Sequence, residues 1–130
     1  MNNGQGPKSF PARTEHLHHI RSYVREEAAR ASLPPDVTRD LVLAVSEACA
    51  NAALHSESDE TRVHLDFSDE RVECTVEDSG VFSRRIPAPE LGFRGGRGIP
   101  LMMALMDEFS IREGKHGDPG TQVRLVKYPA

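Results

Sequence analysis

One segment, from Asp36 to about Leu54, constrains the fold more than any other part of the sequence. Its apolar residues recur at the spacing of one helix face, and several are small, which lets a helix pack closely on a sheet. The stripe consists of Val37, Leu41, Ala44, Ala48 and Ala52. Asp36 is predicted to cap this helix, because its side chain can accept hydrogen bonds from free N–H groups of the first turn. The chain is therefore expected to contain a long helix lying on a β-sheet.

Two segments after this helix alternate apolar and polar residues, as strands with one buried face do. A turn at 68–70 joins them, so they are predicted to form a hairpin. The apolar positions are Val63, Leu65 and Phe67 in the first strand and Val72, Cys74 and Val76 in the second. Two further strands are predicted near Phe109–Arg112 and Thr121–Val126, around a turn at 114–120.

Two other segments have helical periodicity. The earlier one is predicted to start with Thr14 as its N-cap and to end before Pro34. Its apolar stripe consists of Leu17, Ile20, Val24, Ala28 and Ala31. A short helix is predicted from about Ile99 to Asp107, with Pro100 tolerated in its first turn. Helices packed on a mostly antiparallel sheet indicate an α/β (α+β) fold, a two-layer α/β sandwich with helices on one face of the sheet.

Length and composition limit the classes of function. The 130 residues suffice for one domain. Residues 1–8 are polar and glycine-rich, which predicts a disordered N-terminal segment before a single domain at 9–130. No apolar run is long enough to span a bilayer, so a cytoplasmic protein without membrane contact is expected. The net charge of −4 and the lack of tryptophan disfavour direct nucleic-acid binding. Cys49 and Cys74 lack the spacing of a zinc site and are expected in the core.

Three polar residues interrupt the apolar sequence of the long helix. Glu47, Asn51 and His55 are four residues apart, so their side chains lie along one stripe. For His55 the simpler interpretation is a solvated position near the helix C-terminus. Glu47 and Asn51 stand among apolar and very small residues, where a polar group is costly without a partner. An amide oxygen beside a carboxylate suits Mg²⁺, which prefers hard oxygen ligands and retains waters and substrate phosphates.

Asp78 closes the second strand of the hairpin. Strand parity puts it on the same face as Val72, Cys74 and Val76, so its carboxylate should point toward the helices. An Asp-capped turn at the strand end is an equally good explanation of this residue alone. The same parity places Thr121 on the inward face of the last strand, where it could contact a ligand.

Gly95, Gly96, Arg97 and Gly98 precede the short helix. Free backbone N–H groups and the helix dipole favour an anion there, and glycines allow a phosphate to approach the main chain. The spacing fits neither a Walker A loop nor a Rossmann fingerprint. A flexible loop is the alternative interpretation of these glycines on their own.

Taken in order, these motifs resemble those of the Bergerat-fold ATPases, the GHKL superfamily, and within it the anti-sigma-factor serine kinases. The resemblance runs from the first helix to the last strand. It rests on Glu47-xxx-Asn51, Asp78-Ser79-Gly80, Gly95-Gly96-Arg97-Gly98 and Gly120-Thr121. The order of all four motifs is far more specific than any one of them.

The resemblance implies a role for each matching residue. Glu47 corresponds to the general base toward the attacking hydroxyl, and Asn51 to the Mg²⁺ ligand. Asp78 corresponds to the acceptor for the adenine amino group of ATP, with Gly80 beside the base and Thr121 supporting Asp78 and the adenine. The glycine-rich run, Gly95 to Gly98 with Arg97, corresponds to the phosphate-binding end of the ATP lid.

The resemblance also implies partners. A serine on an anti-anti-sigma (STAS-type) protein is the expected substrate, and a kinase homodimer is expected to hold a sigma factor inactive. Phe82 departs from the family pattern, since D-x-G-x-G has glycine at that place. The alternative is therefore a nucleotide-binding module that sequesters its partner without phosphorylating it. The detached catalytic domain of a sensor histidine kinase is a third possibility, which would normally follow a phosphoacceptor helix.

Overall fold

The structure is a computed structural model that describes residues 7–55, 60–78, 95–112 and 120–129. Within these ranges the chain forms three α-helices and five β-strands. The helices are α1 (Leu17–Arg30), α2 (Pro35–His55) and α3 (Gly95–Leu105). The strands are β1 (Lys8–Pro11), β2 (Glu60–Phe67), β3 (Val72–Asp78), β4 (Glu108–Arg112) and β5 (Thr121–Lys127). No helix in this part of the chain is long and apolar enough to cross a membrane.

The five strands form one sheet in the order β1-β2-β3-β5-β4, and every neighbouring pair is antiparallel. The predicted hairpin is β2–β3, with Phe67 opposite Val72. In antiparallel pairs, directly opposed side chains lie on the same face of the sheet. The register therefore decides which side chains share each row across the sheet.

The helices cover one face of the sheet, which confirms the predicted two-layer sandwich. The alternating residues of β2, β3 and β5 that face inward are buried, and they join the apolar stripes of α1 and α2 in one core. On α2 the small residues Ala44 and Ala48 are buried against these neighbours. The opposite face carries polar pairs, including Arg124 to Glu73, whose Nε and Oε2 atoms are 2.7 Å apart. This separation of apolar and polar faces follows from the period of two along each strand.

The helix starts differ from the predictions. Thr14 is not an N-cap: the chain first makes a 3₁₀ turn at Thr14–His16, and no side chain caps either that turn or α1. Asp36 is not a cap either, because α2 begins at Pro35 and Asp36 lies in its first turn. The N–H of Thr38 donates to the carbonyl of Pro34 at 2.9 Å. Proline suits the first helical position because its missing N–H needs no partner there.

Helix α3 begins at Gly95, four residues before the predicted start at Ile99, and ends at Leu105 rather than Asp107. The glycines Gly95, Gly96 and Gly98 are thus the first turn of the helix. Low helical propensity makes such a start hard to predict from sequence. Burial of Met102 and Met106, and contact of α3 with α2, supply packing that overrides it.

Strand β1 was not predicted. It pairs with β2 at the edge of the sheet and carries one buried side chain, that of Phe10, which is too little for a visible alternation. Lys8, placed in the predicted disordered segment, belongs to this strand. The rest of that prediction, for residues 1–6, lies outside the described residues, as do Gly80 and Phe82. The division into 1–8 and 9–130 remains a prediction.

Candidate nucleotide-binding site

Asp78 and Thr121 lie at one end of the sheet. Asp78 is the last residue of β3 and Thr121 the first of β5, and the two are directly opposite each other. Each is only 4% exposed. The predicted inward orientation of both side chains is thus confirmed. A carboxylate and a hydroxyl are placed side by side at the boundary of the apolar core, where water has little access.

A small cavity of about 10 Å³ beside these residues, with room for about one water molecule, gathers groups from three strands and two helices. It is lined by Ala48, Asn51, Val76, Asp78, Met102, Ile111, Thr121 and Val123. Most of its wall is apolar, and the amide, carboxylate and hydroxyl are its polar groups. Small-molecule sites typically combine apolar walls with a few placed polar groups. The fold thus brings together three of the predicted site residues, Asn51, Asp78 and Thr121.

Glu47 and Asn51 are separated by one turn of α2, and both are partly buried. Asn51 lines the cavity with Asp78, whereas Glu47 lines a different depression, the groove between α1 and α2. Side chains four residues apart on a helix are neighbours, with Cβ atoms about 5–6 Å apart. Glu47 is therefore close to the cavity without forming part of its wall.

The glycine-rich run is the N-terminal turn of α3. Helix N-termini present free N–H groups and a partial positive charge, which favours phosphate. Met102 is buried and lines the cavity, so it fixes α3 to the wall that also holds Asp78. The side chain of Arg97 lies outside what the structure describes.

Gly120 shapes the start of β5. Its φ of +110° is a conformation that residues with a side chain rarely adopt. A Cβ added there would lie 3.6 Å from the backbone oxygen of Asp78. The requirement for glycine is therefore conformational, and it lets the chain enter β5 with Thr121 opposite Asp78.

Thr61 is a residue of this region that the sequence interpretation missed. It lies on β2 directly opposite Asp78, on the side away from Thr121, and is 1% exposed. A row of hydroxyl, carboxylate and hydroxyl thus crosses the three central strands. The predicted hairpin implies this pairing, because Thr61 lies as many residues before Phe67 as Asp78 lies after Val72.

The two cysteines are buried core residues, as expected. Burial raises the pKa of the Cys49 thiol to about 12, and it also raises the pKa of Cys74. Both thiols are therefore protonated at neutral pH, and thiols in that form are poor nucleophiles and metal ligands.

The chain matches a known protein family over nearly its whole length. The family described as the histidine kinase-like ATPase domain matches residues 10–127, which is nearly the whole chain. The chain therefore belongs to the histidine kinase-like ATPase family. ATP is the ligand that membership of this family implies.

Individual relatives narrow the class. Serine-protein kinase RsbW of Bacillus subtilis is 32% identical over 91% of this chain and 81% of its own length. The protein of the same name from Bacillus velezensis is 31% identical over 92% of this chain and 82% of its own length. Within the family, the chain is thus one of the anti-sigma-factor serine kinases, as the ordered motifs indicated.

Solved structures support the fold. The RsbU and RsbW domains of a Mycobacterium tuberculosis protein align with a TM-score of 0.68 at 22% identity, covering 95% of this chain and 32% of that one. The histidine kinase domain of Erythrobacter litoralis EL346 aligns with a TM-score of 0.54 at 25% identity, covering 97% of this chain and 69% of that one.

Proposed function

We propose that this serine kinase binds Mg²⁺-ATP at the end of the sheet marked by Asp78 and Thr121, where the small cavity beside Asp78 forms the inner wall of the base end, and phosphorylates a serine of an anti-anti-sigma protein. One observation carries the assignment of the site. Asn51, Asp78 and Thr121 come from separate elements of the fold, and all three line the same apolar-walled cavity. This arrangement supports a purine at Asp78 with the phosphates extending past Asn51.

At the base end, Asp78 would accept a hydrogen bond from the adenine amino group. An ionised carboxylate only accepts, so it favours a base edge that donates. Thr121 would support the carboxylate from the neighbouring strand, and Gly80 would follow directly beside the base. Apolar side chains such as Val76 and Met102 would contact the faces of the ring.

At the phosphate end, Asn51 fits a magnesium ligand. Mg²⁺ is commonly bound by one or two protein oxygens together with waters and substrate phosphates. Among the described residues, no group of three His, Cys, Asp or Glu side chains could hold a metal by itself. Bound Mg²⁺ would neutralise charge on the phosphates. The first turn of α3, with Gly95, Gly96 and Gly98, would donate backbone N–H groups to the phosphates, joined by Arg97.

Glu47 is the proposed base. It would hold the serine hydroxyl in line with the γ-phosphorus and receive its proton as the new O–P bond forms and the bond to ADP breaks. A carboxylate is a weak base toward an alcohol, so alignment and late proton transfer would supply most of its effect. Its place one turn from Asn51 supports this role.

The groove that Glu47 lines is open, with a volume of about 730 Å³. Arg21, Arg25 and Arg39 also line it, and Arg21 Nη1 donates to Ser46 Oγ at 3.1 Å. A protein that presents a serine to Glu47 must cover this groove. The three arginines favour an acidic surface around that serine.

The remaining assignments rest on the family resemblance. The kinase is proposed to act as a homodimer that also binds and inactivates a sigma factor. A partner that belongs to RNA polymerase would place the protein in the cytoplasm. Neither role requires direct contact with nucleic acid or a membrane.

Phosphorylation by a Glu47→Gln variant tests the proposal. The amide keeps the shape of the side chain and removes the proton acceptor, so transfer should fall roughly 10²- to 10⁴-fold. ATP affinity should be unchanged, because Glu47 does not line the base cavity. Transfer of labelled phosphate from Mg²⁺-ATP to the anti-anti-sigma protein is the measurement, and Glu70→Gln at the exposed β2–β3 turn is the matched control.

Three outcomes are distinguishable. A wild-type protein that binds ATP and its partner without phosphate transfer would instead support the binding module suggested by Phe82. Autophosphorylation on histidine would point to the sensor-kinase class. Full transfer by the Glu47 variant would remove the glutamate from the mechanism.

A further inference from the structure

The hydroxyl of Thr61 is buried and has no hydrogen-bond partner among the residues that the structure describes. Thr61 is 1% exposed, and its Oγ1 makes no hydrogen bond to any residue that the structure describes. A buried hydroxyl without a partner is costly, so such atoms in native proteins call for an explanation. A threonine at this place is unusual within its own strand, because the next inward positions, Val63 and Leu65, are apolar.

Thr61 has one cross-strand neighbour on each side. On one side it is opposite Phe10 of β1, a buried aromatic ring that offers no acceptor. On the other side it is opposite Asp78. Directly opposed Cβ atoms in antiparallel strands are about 4.5–5.5 Å apart. A rotation about χ1 of Thr61 can bring its hydroxyl to the Asp78 carboxylate.

A hydrogen bond from Thr61 to Asp78 would help to orient the carboxylate at the proposed base end. A carboxylate has about four lone-pair sites, so it can accept hydrogen bonds from other donors besides the adenine amino group. Donors on both neighbouring strands, Thr61 and Thr121, would hold the carboxylate in the plane that the amino group requires. Thr61 does not line the cavity itself, so any effect on the nucleotide passes through Asp78.

We propose that Thr61 is a positioning residue for nucleobase recognition: its hydroxyl donates to Asp78 when a 6-aminopurine is bound. This inference rests on the proposed function of the cavity. It assigns to this chain a third polar residue at the base end, beside Asp78 and Thr121. Thr61 should therefore contribute to the preference for a base with an amino group at this edge.

The test compares Thr61→Val, which is nearly isosteric and lacks the hydroxyl, with Thr61→Ser, which keeps it. Dissociation constants are measured for ATP and for purine riboside triphosphate, which lacks the 6-amino group. Thr61→Val should weaken ATP binding roughly threefold to tenfold, the equivalent of one hydrogen bond, and should leave the second nucleotide almost unchanged. Thr61→Ser should restore the preference for ATP.

Two further measurements separate positioning from a structural role. In Thr61→Val the KM for ATP should rise while kcat at saturating ATP stays at the wild-type value. The melting temperature without nucleotide should not fall, because the variant removes a buried hydroxyl that has no partner within the described part of the chain. A structural role would lower the melting temperature or weaken both nucleotides equally.

The binding measurements distinguish failure of this inference from failure of the proposed function. If wild-type protein binds ATP and Thr61→Val binds both nucleotides as wild type does, the inference is wrong and the site stands. If the wild-type protein binds neither nucleotide, the proposed site is wrong, and the role of Thr61 is refuted with it.

Discussion

Replacement of Asp78 by asparagine tests the base end of the site most directly. The change is nearly isosteric, but it replaces an acceptor-only carboxylate with an amide that also donates. Asp78 is 4% exposed, so water cannot readily replace the lost interaction. A hydrogen bond to a charged group is worth about 1.5–3 kcal/mol. The Kd for ATP should therefore rise roughly 10- to 150-fold.

Isothermal titration calorimetry with Mg²⁺-ATP measures this change. Asp69→Asn provides the control, because Asp69 lies in the exposed turn at the opposite end of β3 and undergoes the same chemical substitution. The control should bind ATP as the wild type does. Thermal unfolding without nucleotide checks that the Asp78 variant is folded. An unchanged Kd in a folded Asp78→Asn protein would refute the adenine role.

Two predictions concern stability. Gly120→Ala should lower the free energy of unfolding by roughly 1–2 kcal/mol in urea titrations, because alanine disfavours a φ of +110°; an unchanged value would contradict the conformational requirement. Burial raises the pKa of Cys49 from 9.0 to about 12, so the folded state keeps this proton longer than the unfolded chain. The contribution of this proton to the free energy of unfolding is complete below pH 9. It falls by about 1.4 kcal/mol per pH unit as the pH rises toward 12. Urea unfolding of Cys49→Ala should therefore depend less on pH in that window than unfolding of the wild type, and equal slopes would refute this.

Local periodicity was enough to predict much of the fold. The β2–β3 hairpin and strands β4 and β5 alternate with a period of two, and α2 has a continuous apolar stripe. The start of α3 could not be predicted in the same way, because its glycines are poor helix formers and its stability comes from tertiary packing of Met102. Strand β1 could not be predicted from periodicity, because Phe10 is its only buried residue and one apolar position makes no alternating pattern.

The site was predictable to different degrees. Parity placed Asp78 and Thr121 on the inward face, but only the pairing of β3 with β5, which are not consecutive in the chain, makes them direct neighbours. Thr61 is a different case. The hairpin geometry places it opposite Asp78, and no motif drew attention to it, since a single threonine in an apolar strand has no signature.

The separation of Glu47 from Asn51 explains how one helix could serve two substrates. The sequence predicts both residues on one stripe, yet Asn51 lines the cavity proposed for the nucleotide and Glu47 lines the arginine-containing groove. Four residues of α-helix rise about 6 Å, so the two sites are one turn apart. Under the proposed function, α2 borders both ATP and the protein substrate, and the serine hydroxyl meets the γ-phosphorus beside this turn. Substitutions at Glu47 and Asn51 should then have separable effects, with transfer lost at Glu47 and Mg²⁺-ATP affinity lost at Asn51, because each side chain lines a different depression.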